Sequence, residues 1–150
     1  MVLENARFPE ITSFSSLIRF ALELENRAIS FFEGSISTFP NLAALPLLCE
    51  AHVKRCQVLE RTRRQKLNEM ILEPIHELNR EDYLVENVAI EGAPLQDVMK
   101  ALINLEETSV RFYADSAKIA KSLLAEASRI FQKLARENEE NIQKLRAIAP

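Results

Sequence analysis

Apolar residues recur at steps of three, four and seven through residues 14–32, FSSLIRFALELENRAISFF, a pattern that predicts an amphipathic helix. Phe14, Ile18, Ala21, Ala28 and Phe32 share one face, and Glu25 sits in the middle of it. A carboxylate that points into a core needs a partner. The arrangement returns 81 residues later in LQDVMKALINLEETSVRFY, residues 95–113, where Leu95, Met99, Leu102, Val110 and Tyr113 surround Glu106. Under this offset Phe14 meets Leu95, Ile18 meets Met99, Leu24 meets Leu105, Phe31 meets Phe112 and Phe32 meets Tyr113. One helix pattern has been used twice.

The remaining pattern gives two more helices and one long connection. Residues 1–12 read as a loosely held arm, with Thr12 and Ser13 as candidate caps for a first helix over about 13–37, which Phe39 and Pro40 close. Asn41 or Ala44 opens a second helix running to about Leu72. Pro46 fits its first turn because the missing N–H has no intrahelical partner there. Its inward face reads Leu45, Leu48, Cys49, His52, Arg55, Cys56, Leu59, which places two ionisable groups among apolar ones. Residues 73–93 lose the period around Pro74, Asn79 and Gly92. Tyr83, Leu84, Val85, Val88 and Ile90 predict that this crossover lies along the molecule. A third helix takes about 94–120, and Ser122 is a candidate cap for a fourth, whose stripe is Ala127, Ile130, Phe131, Leu134, Asn138, Asn141, Ile142, Leu145 and Ile148. Short links within each half and a long one between them predict an antiparallel four-helix bundle of two hairpins joined by a crossover.

Composition narrows the class without changing this picture. A chain of 150 residues suits one domain, and two glycines with no tryptophan favour an all-α fold. A formal charge of −3 argues against a nucleic-acid partner, and the basic run Arg61, Arg63, Arg64, Lys66 is read as a solvated helix face. The sequence shows neither a signal peptide nor an apolar run of about 18 residues, so a soluble, cytoplasmic protein without a membrane partner is expected. Cys49 and Cys56 stand seven apart on one helix, about 10 Å by its rise, and are expected as reduced core fillers. His76 lies in the crossover and receives no role. Phe20, Leu22 and Phe31 fall off the inner stripe and mark either an association surface or, for Phe20 and Leu22, ground covered by the crossover.

With these motifs in place, nearly the whole chain resembles the rubrerythrin branch of the ferritin-like superfamily. In that family helices 1 and 3 carry Glu followed seven residues later by an aromatic, as in ELENRAISFF (Glu25, Phe32) and NLEETSVRFY (Glu106, Tyr113). Family helices 2 and 4 carry Glu-x-x-His followed four residues later by Leu, and here both motifs are degenerate. With Leu59 as anchor, HVKRCQVL puts His52 at the Glu position and Arg55 at the His position. With Leu145 as anchor, NEENIQKL puts Asn138 and Asn141 there. A second helix 3 carboxylate would fall at Ile103 and is absent, as is a cysteine-rich iron module. Turning Glu137, Glu139 or Glu140 inward instead would expose Leu134 and Leu145, at about 2 kcal/mol or more for each.

The resemblance implies a di-iron oxidoreductase, and the altered residues imply its loss. A guanidinium has no lone pair for a metal, so Arg55 is expected beside Glu25, Glu106 or both, in a buried network with His52, Asn138 and Asn141 as neutral partners. Tyr113 is either a redox-active phenol near a metal or a core aromatic whose hydroxyl needs one partner. The first functional reading is a non-catalytic protein without a cofactor, acting as a homodimer or higher oligomer or through a protein partner. The second is a peroxidase or ferroxidase with an iron or manganese ion held by Glu25, Glu106 and His52. The third is a binding module in which Arg55 meets the anionic group of a small molecule.

Overall fold

The computed structural model describes residues 7–70 and 74–148, with backbone alone for 66–70 and 123. The protein is all-α. Among the described residues four α-helices occur, α1 (Phe14–Thr38), α2 (Ala44–Met70), α3 (Leu95–Leu123) and α4 (Ala125–Ile148), with a 3₁₀ turn at Arg80–Tyr83. The only β pairing among them is an isolated bridge between Ser13 and Pro74.

α1 starts where the sequence says it should. Ser13 is the N-cap, its hydroxyl accepting from the Ser16 backbone N–H while the Ser16 hydroxyl accepts from the N–H of Ser13. Phe39 ends the helix, its N–H donating to the Ser35 carbonyl. α2 opens at Ala44, and its expected end near Leu72 falls outside the described residues. α3 runs three residues past its expected end near 120, to Leu123, and Ser122 caps nothing. Its hydroxyl donates to the Ile119 carbonyl inside α3, while extended Leu124 separates the two helices.

α1 packs chiefly on α2 and α3 chiefly on α4, and the four inner faces meet in one apolar cluster. The expected stripe of α1 is buried throughout, and that of α4 is buried except for half-buried Ile130 and Ile148. Leu59 and Leu145 are both fully buried, which fixes the rotation of α2 and α4.

The chain's N-terminal approach corrects the expectation of a loose arm for its described part. Phe8 and Ile11 are core residues, the Phe8 ring lies 4.8 Å from that of Phe20, and the Phe8 carbonyl accepts from Arg80 Nε at 2.7 Å. Residues 1–6 lie outside the description. The crossover is equally anchored: Tyr83 donates to Asp115 on α3, and Arg27 on α1 donates to the Val85 carbonyl at 2.6 Å. Ile90 passes so close to Gly34 that a Cβ there would stand 3.3 Å from it, which accounts for a glycine inside a helix. Phe20 therefore lies beneath the crossover, against Tyr83 and Phe112, and Phe31 is buried as well, so neither is exposed for association. Cys49 and Cys56 are free thiols, half-buried at the edge of the core rather than filling it.

Candidate functional site: a buried ionic network

Every helix sends residues to the same region of the core. α1 contributes Glu25, α2 His52 and Arg55, α3 Glu106 and Tyr113, and α4 Asn138 and Asn141, all of them buried. The one-sided stripes position them. Each polar group replaces an apolar residue on an inward face and is therefore carried to the middle of the molecule.

His52 lies between the two glutamates. Its Nδ1 is 2.6 Å from Glu25 Oε1 and its Nε2 is 2.6 Å from Glu106 Oε2. A carboxylate only accepts, so facing both acceptors requires an N–H on each ring nitrogen, which makes the ring an imidazolium. Burial alone would lower its pKa, but Glu106 and Glu25 on either side raise it from 6.5 to about 9. This corrects the expectation that His52 is a neutral partner. The physical reason is that one ring is shared by two carboxylates. Phe32 stacks on the imidazole at 5.4 Å between centroids.

Arg55 supplies the second cation. Its Nη1 donates to Asn138 Oδ1 at 2.8 Å and more distantly to Glu25 Oε2 at 3.4 Å, and its Nη2 donates to the Leu134 carbonyl at 2.8 Å. The guanidinium carbon also stands 5.8 Å from the centre of the Tyr113 ring. The Tyr113 hydroxyl donates to Glu25 Oε2 at 2.5 Å. Burial and the Glu25 charge hold that phenol well above its ordinary pKa, so it keeps its proton. For Glu25 burial acts upward, but His52 and Arg55, with hydrogen bonds from His52 and Tyr113, bring its pKa below 4.5.

The two asparagines complete the set. Asn138 Nδ2 donates to Glu106 Oε1 at 2.5 Å, so one amide links the guanidinium to the second carboxylate, and Asn141 Nδ2 stands 3.4 Å from the same oxygen. All four carboxylate oxygens of Glu25 and Glu106 thus have a donor. Two anions and two cations cancel.

The three residues expected as metal ligands do come together, but not around a common point. The ring lies between the two carboxylates with each nitrogen facing a different one, every carboxylate oxygen already has a neighbouring donor, and a guanidinium occupies the adjacent position, so this donor set as arranged offers no shared point for a metal ion. Among the described residues no group of three or more His, Cys, Asp and Glu side chains is disposed to hold one. Glu137 is half-buried, and Glu139 and Glu140 are exposed, as the stripe of α4 requires. His76 is exposed.

Sequence reasoning missed Arg27, which is buried on α1 with its guanidinium carbon 5.2 Å from the centre of the Phe8 ring. Its one signal was its place beside the stripe, two positions past Glu25. No protein-family model, no curated protein and no solved structure matches the chain. No helix among the described residues is long and apolar enough to cross a membrane.

Proposed function

We propose that this chain is a rubrerythrin-like, ferritin-like bundle of two antiparallel hairpins in which an imidazolium and a guanidinium stand in place of a di-iron centre, and that it is non-catalytic and acts by binding. The observation that carries this reading is the single imidazole donating to both Glu25 and Glu106 at 2.6 Å. A di-iron site offsets several positive charges with about four carboxylates. Here two carboxylates are offset by two protonated side chains, and the charge balances without a metal. The elements that carry the resemblance, Glu25 with Phe32 and Glu106 with Tyr113, then serve packing and hydrogen bonding.

Elemental analysis of tag-free protein, before and after anaerobic incubation with ferrous iron or manganese, tests it. Below about 0.1 equivalents with no uptake is expected. Uptake near one equivalent, abolished by Glu106→Gln, would overturn the reading in favour of a mononuclear oxidoreductase centre. Uptake near two would restore a dinuclear one.

A further inference from the structure

The backbones of α2 and α4 come close at few positions, and between them opens a groove of about 640 Å³. Its lining is unlike the rest of this acidic chain. Lys54, Arg61, Lys133 and Lys144 join Arg55 along it, against two carboxylates, Glu137 and Glu140. Val58, Ile130 and Leu134 supply apolar wall. A second hollow of about 380 Å³ shares Thr62, Gln65, Ile130 and Lys133 with the groove and extends it towards Ala127. The volume is that of a small-ligand site.

The groove reaches the buried network. Arg55 is 3% exposed yet lines it, and its Nη2 faces Glu137 at 3.6 Å, an ionic contact beyond hydrogen-bonding distance. The Glu137 side chain is 40% exposed, so it can swing into solvent. An incoming anion of better geometry would take its place on the guanidinium and meet the lysines of the rim at the same time. Apolar wall beside that position would receive a hydrocarbon body.

We propose that this groove binds a small amphiphilic anion, with its carboxylate or phosphate head at Arg55 in place of Glu137 and its apolar body along Val58, Ile130 and Leu134. The inference goes beyond the reading of the core and fails separately from it, since octanoate is titrated on metal-free protein and metal uptake is measured on anion-free protein.

Isothermal titration of the full chain with sodium octanoate, octyl phosphate and 1-octanol distinguishes head from body. Both anions bind, and 1-octanol binds at least about tenfold more weakly. Glu137→Gln tightens octanoate about threefold by removing the competing carboxylate, and Lys133→Glu weakens it about fivefold or more. Val58→Trp fills the groove and abolishes binding while leaving Arg55 in place. Octanoate silent up to about 3 mM, octanol equal to octanoate, or Val58→Trp binding like the parent would each overturn the proposal.

Discussion

Arg55 shows how much one side chain can matter when it cannot be solvated. It touches Glu25, Asn138 and the Leu134 carbonyl while almost fully buried. Arg55→Ala leaves Glu25 with His52 as its only cation and strands the Asn138 and Leu134 oxygens. We expect a loss of about 3 kcal/mol or more in urea unfolding. No change in the midpoint would refute the ion pair. At this scale the site was largely legible, because Glu25, His52, Arg55, Glu106, Asn138 and Asn141 each interrupt an apolar period, and interruption is visible in a string of letters. The proton on His52 was not. It depends on two carboxylates from helices 81 residues apart in sequence reaching opposite edges of one ring.

The helices follow their periods, whereas the segments between them follow contacts that carry no period. The start of α1 was readable to within Thr12 or Ser13 from its candidate caps, and that of α2 to within Asn41 or Ala44 from Pro46. The end of α3 was not, because the candidate cap Ser122 turns its hydroxyl back into its own helix. The docking of Phe8 and Ile11 was equally hidden, since two apolar residues separated by Pro9 and Glu10 make no face of their own. The crossover is held at several points, among them the Tyr83 hydroxyl on Asp115 at 2.5 Å and the Val85 carbonyl on Arg27. Burial, Asp115 and Asp82 push that phenol's pKa upward, so it remains a donor at any ordinary pH. Tyr83→Phe keeps the ring against Phe20 and Phe112 but removes one tie of the strap to α3. Amide hydrogen exchange should quicken across residues 84–90 while α1 and α3 keep their protection. Equal acceleration in the helices would mean that the hydroxyl supports the whole core.

For the whole molecule the network sets a pH window. His52 gains its proton affinity on folding, so its contribution is complete below 6.5 and declines as pH rises to about 9, for a total of about 3 kcal/mol. Glu25 acts in the opposite sense: its lowered pKa stabilises the fold above 4.5, and that contribution is lost as pH falls through its folded value. Stability should therefore be greatest between 4.5 and 6.5. Urea midpoints measured from about pH 5 to about pH 10 should fall along the alkaline limb. His52→Gln should flatten that limb and lower stability throughout. A wild-type midpoint constant from 6.5 to 9 would mean that the ring is neutral.

The repeated helix pattern raises the question of how the chain tells its two halves apart. α1 and α2 bring one carboxylate with an imidazolium and a guanidinium, an excess of one positive charge. α3 and α4 bring one carboxylate with two amides, an excess of one negative charge. Two first halves brought together would enclose four cations with two anions, and two second halves would enclose two carboxylates with no cation at all. Each like pairing strands charge in a medium that cannot solvate it. Only unlike halves close on neutrality, so the arithmetic of the core works as a sorting rule: apolar stripes alike enough to be mistaken for one another are told apart by the charge each half lacks.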